Sequence, residues 1–213
     1  IRGRHGHVGP GIPLSRSLQM THFRPVALHH ASRLVNHGPT ILVTSAAGGR
    51  RNVMAAAWSM PVEFTPPRIA VVIDKKTFTR ELVAASGAFG LCIPGAALRD
   101  VTFTVGSTSG RDVDKFARFG IASQAGPELG MPVIEEGCSA WLECRLIPEP
   151  HAEEAYDTCF GEVLSAAADS RIFDAGRWSF RDDNRDLHTI HHLGAGNFVT
   201  AGNGIQARML AGD

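Results

Sequence analysis

Two stretches of the sequence read as helix starts that carry groups suited to an anion or a polar ligand. The first is KKTFTREL, residues 75–82, in which Lys75 and Lys76 precede two hydroxyls, Thr77 and Thr79, around Phe78. A helix start leaves backbone N–H groups unpaired and carries the positive end of the helix dipole. With lysines and hydroxyls beside it, such a start suits a phosphate monoester. A plain capped helix with surface lysines fits the same residues, because Thr is a common cap. The second stretch is GSTSGRDVDKF, residues 106–116. Ser109 and Gly110 sit in a polar loop, Asp112 or Asp114 opens a helix and Lys115 follows. One reading puts Ser109, Gly110 and Lys115 over a polar ligand and the other is again a capped helix. The GxxxxGK[ST] order of a phosphate-binding P-loop is absent.

A third stretch, NVMAAAWSMPVEFTPP at residues 52–67, reads as a strand that ends at a double proline. Ala55, Ala56 and Ala57 leave room beside the backbone for something flat. Asn52 offers a bidentate amide to a ring edge, and Trp58 offers a wall. A strand packed closely under a helix fits the same alanines.

Other chemistries lack their signatures. There is no HExxH pattern, and His188 and His191 have no matching carboxylates for a zinc site. No GxSxG nucleophile and no GxGxxG dinucleotide fingerprint is present. The paired acids Glu135–Glu136 and Glu153–Glu154 read as solvated loops. Arg50 and Arg51 read as part of a solvated hairpin turn, with contact to a ribose phosphate as the alternative. Cys92, Cys138, Cys144 and Cys159 form no CxxC pair and read as reduced, mostly buried thiols of a cytosolic protein.

These residues are positioned by short β-like segments with turns between them. The strands are read at 40–46, from Asn52, at 68–74, 88–94, 139–148 and 158–168. Gly48–Gly49 makes the first pair a hairpin. In the fifth strand, Cys144, Leu146 and Pro148 fall on one face and Glu143, Arg145 and Ile147 on the other. Helices are read at 79–87, with a Thr cap and Gly87 as the stop, and at 112–120. A third is read within AALRDVTFTVG. Strands outnumber helices, and no βαβ rhythm appears. This predicts an antiparallel barrel with helices over its ends.

The chain of 213 residues is 44% hydrophobic and 20% charged, with a formal net charge of zero, which is ordinary for a globular domain. No general pull toward nucleic acid is expected, and no apolar run has the length of a membrane span. Residues 1–19 carry three arginines and no acid. They read as a disordered leader, tag or extension, with 20–213 as a single domain.

The order of TILVTSA, NVMAAAWS, TPPRIAVVI, KTFTRELVAASGAFGLCIP, GSTSGRDVDKF, LECRL and FGEV resembles the flavin reductase-like FMN-binding split-barrel family, over about residues 39–202. The resemblance implies a mainly β fold with peripheral helices, a six-stranded antiparallel split barrel of Greek-key connections. It also implies a homodimer, and the cysteine reading above makes it cytoplasmic. FMN is then the cofactor, with NADH or NADPH as a transient co-substrate. Free flavin, a partner monooxygenase or another acceptor takes the electrons. A flavoredoxin-like carrier and a non-catalytic FMN-binding protein are the alternatives. The family motifs fall on Asn52, Met54, Ala55, Ala56, Trp58 and Ser59 for the ring and ribityl chain, and on Lys75, Thr77, Phe78 and Thr79 for the phosphate. They also fall on Ser109, Gly110, Asp114 and Lys115, and on Phe198, where Tyr is common in the family; a backbone N–H or Lys115 is expected to stabilise the charge of the reduced ring.

Overall fold

The computed structural model describes residues 22–35 and 37–210, so the reading of residues 1–19 lies outside the described residues. Eight strands form one antiparallel sheet: β1 (Phe23–Pro25), β2 (Ile41–Ala47), β3 (Arg50–Ala56), β4 (Ser59–Phe64), β5 (Pro67–Val72), β6 (Ala88–Pro94), β7 (Cys138–Ile147) and β8 (Thr158–Asp169). Their order is β3-β2-β6-β7-β8-β5-β4, with β1 beside β8. The six strands read from the sequence are β2, β3, β5, β6, β7 and β8, and they are contiguous in this order. The edge strand β4 and the short β1 are additions. Non-local pairings, β2 with β6, β6 with β7, β5 with β8 and β1 with β8, build the antiparallel barrel.

Side-chain alternation with period two builds two apolar layers. Ile41 and Val43, Ile69 and Val71, Phe89, Leu91 and Ile93, and Leu142 and Cys144 fill the barrel interior. On the outer face Leu42, Val53, Cys92 and Trp141 meet Val105 and Phe116 of the covering helices. β6 is buried at every position because both its faces are covered. Close packing inside the barrel needs Gly161, where a Cβ would lie 2.5 Å from Phe89 Cζ.

The helices are α1 (Leu28–Ala31), α2 (Phe78–Ser86), α3 (Arg99–Ser107), α4 (Lys115–Arg118) and α5 (Pro150–Tyr156). α2 starts one residue earlier than read. Its cap is Thr77, whose hydroxyl accepts from Arg80 N at 3.2 Å, and Gly87 ends it in the left-handed region at φ 68°. The helix read at 112–120 is the single turn α4, capped by Asp114 through Phe116 N at 2.9 Å and Ala117 N at 3.2 Å. α5 follows Pro148 and was not read from the sequence. A C-terminal ribbon pairs β9 (Ile190–Gly194) with β10 (Asn197–Thr200).

The stretch 52–67 is two strands, not one. The chain breaks at Ala57–Trp58, and β4 runs along the sheet edge, where Pro61 is tolerated. Pro67 is itself the first residue of β5 and pairs with Phe64. In β7, Glu143 is buried although Arg145 on the same face is exposed. That carboxylate is fully buried and accepts N–H groups from Glu128, Leu129 and Met131 at 2.9, 3.0 and 3.1 Å, and the Ser165 hydroxyl at 2.7 Å. It pins the loop ahead of β7.

Candidate functional site

β3 is the spine of the site. Its register with β2 sets Asn52, Met54 and Ala56 opposite Ser45, Val43 and Ile41, on the face that looks into the barrel. Val53 and Ala55 face outward under α3. The three alanines therefore do not share one face. Ala55 lies so close beneath α3 that a Cβ on Gly106 would be 3.1 Å from its own. For this residue the close-packed reading of the sequence is the one the geometry meets.

Asn52 is buried and donates from Nδ2 to Thr79 Oγ1 at 2.8 Å. Its Oδ1 has no partner, and neither has the hydroxyl of buried Ser45 across the strand pair. Gly110 closes over this amide, and a Cβ there would lie 2.0 Å from Asn52 Oδ1. Thus Asn52, Thr79 and Gly110, each singled out from the sequence, meet at one buried polar point beneath the start of α2.

Lys115 does not extend toward a ligand. It is 2% exposed, and its Nζ donates to Val53 O at 2.8 Å and Val105 O at 2.7 Å. The amine ties β3 to the end of α3. Burial without a carboxylate partner lowers its pKa to about 8. Asp114 caps α4 and holds Arg51 at 3.2 Å. Burial pushes its carboxyl up, but the N–H groups of Ala117 and Phe116 and the Arg51 guanidinium outweigh this and leave its pKa below the ordinary value. Ser109 accepts the Arg111 N–H at 3.3 Å within its own loop.

The phosphate segment is rearranged from the sequence reading. Lys75 turns to the α5 side, where Glu154 Oε1 lies at 3.2 Å and Asp157 Oδ1 at 3.9 Å. The Thr77 hydroxyl is used in the cap and in a bond to Asp74 O at 2.8 Å. The cations beside the start of α2 are two arginines. Arg50 is not in the turn, because Gly48–Gly49 alone make it, with φ of 57° and 75°. Its guanidinium lies 4.1 Å over the Phe78 ring. Arg111 donates to Lys76 O at 2.8 Å and pairs with Glu81 at 2.6 Å. Arg111 is not distinguished in the sequence, since its spacing to α2 exists only in three dimensions. Glu153, read as solvated, pairs with Arg80 at 2.5 Å.

At the other end of β3 a groove of about 200 Å³ runs between Ala55–Ala57, α3 and the C-terminal ribbon. Phe198 and His192 close one side of it, their rings 5.3 Å apart, and Phe103 lies on the α3 side. Thr102 is fully buried in the groove wall with an unpartnered Oγ1. The sequence shows it only as a helix residue. Trp58 does not line this groove. It is 74% exposed and begins an apolar stripe with Met60, Val62 and Phe64 along β4. Ser59, at the break, keeps a buried hydroxyl without a partner.

An unmet buried donor or acceptor costs about 1–3 kcal/mol. Asn52 Oδ1 on β3, Thr102 Oγ1 on α3 and Ser59 Oγ at the start of β4 are three such groups. Ala56 lies four residues from Asn52, about 13 Å along a strand. The arrangement offers an anion-friendly end, a polar middle and a flat apolar end. Among the described residues no three His, Cys, Asp or Glu side chains converge to hold a metal ion. None of the described helices is long and apolar enough to cross a membrane.

Comparison with known proteins agrees with this geometry. The family model described as the flavin reductase like domain matches residues 33–184. YddH of Escherichia coli K12, itself uncharacterized, is 60% identical over 190 residues, covering 88% of this chain and all of that protein. The crystal structure of an FMN-binding domain of a flavin reductase-like enzyme from Shewanella baltica superposes with a TM-score of 0.84 at 40% identity, over 87% of this chain and 97% of that one. Flavoredoxin of Desulfovibrio vulgaris (Miyazaki F) superposes with a TM-score of 0.69 at 26% identity, over 80% and 90% of the two chains.

Proposed function

Because the chain belongs to the flavin reductase-like FMN-binding split-barrel family, we propose that it is an FMN-dependent oxidoreductase that draws its electrons from NADH or NADPH. The observation that carries this is the set of unpartnered buried polar atoms on β3, on α3 and at the start of β4, together with an arginine-flanked helix start and an alanine groove. That set suits a molecule with a phosphate, a polyhydroxyl chain and a flat ring. FMN, when bound, supplies the redox chemistry, accepting a hydride from the nicotinamide and passing electrons to free flavin, a partner monooxygenase or another acceptor.

The protein's part is to hold and orient. The backbone N–H groups at Phe78 and Thr79, with Arg50 and Arg111 beside them, receive the phosphate. Lys75 and Thr77 support that helix start from behind. Asn52, Ser59 and Thr102 meet the polar edge of the cofactor, and Met54, Ala55, Ala56 and Phe198 bound its flat part. Gly110 and Ser109 close over the middle, while Asp114 and Lys115 fix the loop and the strand on which the site is built. A second copy of the chain covers Trp58 and the β4 stripe, making a homodimer. Four buried, unpaired cysteines fit a reducing, cytoplasmic setting.

A second reading, an electron carrier that keeps its FMN, is favoured by the likeness to flavoredoxin. One assay separates the two and tests both: NADH and NADPH oxidation by the purified chain, with and without added FMN. The reductase reading expects multiple turnovers that depend on added FMN. The carrier expects a yellow protein without turnover. A colourless protein that takes up no FMN and leaves NADH and NADPH unoxidised overturns both.

A further inference from the structure

The C-terminal ribbon that closes the groove is tied to the chain just ahead of β2. Thr40 N donates to Ile190 O at 2.8 Å, and His192 N donates to Thr40 Oγ1 at 3.0 Å. Along β9, His192 lines the groove, while its neighbour His191 turns away and donates from Nδ1 to Gly38 O at 3.0 Å. A side-chain bond completes the seam. His37 Nε2 lies 2.9 Å from the hydroxyl of Thr189, which is fully buried at the root of the ribbon.

His37 sits in a box of rings. Trp178 lies 4.9 Å from it, His191 5.8 Å and Phe180 6.0 Å, all edge to face. Its Nδ1 is buried and, among the described residues, has no partner. The neutral ring suits this box, because with Nε2–H donated to Thr189 it keeps only a bare lone pair at Nδ1. The charged ring does not, because it carries an N–H at both nitrogens and Nδ1–H meets no acceptor. Nor do the surrounding elements offer a countercharge among the described residues. Trp178 and Phe180 are neutral, and Trp178 Nε1 is committed to Arg33 O at 2.8 Å. The Arg33 guanidinium turns to Gly176 O at 2.9 Å. His188, beyond Phe180, lies between the carbonyls of Ala201 and Arg181. His191 is the charged group that acts on His37, by like-charge repulsion. Burial first and His191 second lower the pKa of His37 to about 4.

We propose that His37 is a pH-sensitive latch: neutral, it holds the ribbon against residues 38–40 and keeps His192 and Phe198 over the groove; protonated, it leaves the ring box and releases them. The ribbon is a two-stranded sheet separate from the barrel, so it can part locally at far lower cost than global unfolding. The latched pKa lies below the ordinary 6.5, so between the two values the open form holds a proton that the latched form lacks. The latch is therefore at full strength above the ordinary value and is lost as pH falls toward 4. The release follows from the seam itself, and its consequence for a cofactor rests on the flavin reading.

The test is hydrogen exchange of the full, FMN-free chain over residues 189–200, at about pH 7.5 and about pH 5 and corrected for the intrinsic effect of pH. Protection of the ribbon is expected to fall about tenfold or more at the lower pH while the barrel strands stay protected. His37→Gln keeps an amide N–H for Thr189 and cannot take up a proton, so its ribbon should stay protected at both. An equal loss in the wild type and His37→Gln, or no loss in the wild type, overturns the proposal. If His37→Gln is already open at the higher pH, the wild type decides through the His37 ring, followed by NMR. Titration of the ring together with the opening supports the latch, and titration with the ribbon still protected overturns it. FMN affinity over the same range, read by fluorescence quenching, should fall as the ribbon opens, and a constant affinity would overturn the link to the groove. A chain that takes up no FMN at either pH fails the flavin reading and leaves the latch to the exchange result.

Discussion

Gly110 and Asn52 form the contact on which the polar middle of the site depends. A methyl at Gly110 meets Asn52 Oδ1 at 2.0 Å and drives the amide off Thr79. Gly110→Ala is expected to weaken FMN binding about tenfold or more, read by quenching of flavin fluorescence, with the far-UV spectrum unchanged. Wild-type affinity in this variant would show that Asn52 is not at the site. Lys115 makes a different prediction. Its folded pKa is about 8 against an ordinary 10.5, so between those values the unfolded chain holds a proton that the folded chain has released. Unfolding free energy therefore rises with pH across this window and gains nothing from Lys115 below it. Urea melts at several pH values should show the rise in the wild type and a flatter profile in Lys115→Met. An equal slope in both would contradict the uncompensated burial of the amine. Asn52 was legible in the sequence as a polar residue beside small ones, and Gly110 as part of a polar loop. Lys115 was legible as important but not in its role, because a lysine buried against two carbonyls looks the same in sequence as one that faces a ligand. Thr102 was not legible, since nothing in VTFTVG tells a buried unpartnered hydroxyl from an exposed one.

Among the elements, α2 carries the site's anion end, and its first turn is set by Thr77. Thr77→Ala should cost about 1 kcal/mol of stability, as lost caps do, measured by chemical denaturation. It should also weaken FMN binding, since the unpaired N–H groups at Phe78 and Thr79 lose their fixed direction. A melt unchanged from the wild type would mean that the helix start is held by Arg50 and Arg111 rather than by the cap. The strands were readable because apolar alternation and turn glycines are local signals: Gly48–Gly49 gave the hairpin, and the runs at 88–94 and 158–168 gave β6 and most of β8. The break at Ala57–Trp58 was not, because β3 and β4 carry no turn residue between them, and the chain leaves one edge of the sheet for the other without a glycine. α5 was missed because the strand reading ended at Pro148, while Pro150 opens the helix, where the missing N–H is no loss.

The exposed apolar stripe of β4 matters at the scale of the whole molecule. Trp58, Met60, Val62 and Phe64 are all at least 40% exposed, on a sheet edge where unpaired backbone groups also wait. A homodimer built on this edge is expected to sediment as a dimer and to become monomeric in the Met60→Lys, Phe64→Lys double variant. A wild-type monomer would leave the stripe to another partner. The account's central claim is that a flat cofactor lies in the groove beside Ala56. The most direct test is an FMN titration of Ala56→Leu beside the wild type, with thermal melts as the control for folding. The account predicts saturable quenching in the wild type and a loss of affinity of about tenfold or more in the variant, with both proteins folded. An Ala56→Leu protein that binds FMN as tightly as the wild type would place the cofactor elsewhere and contradict it.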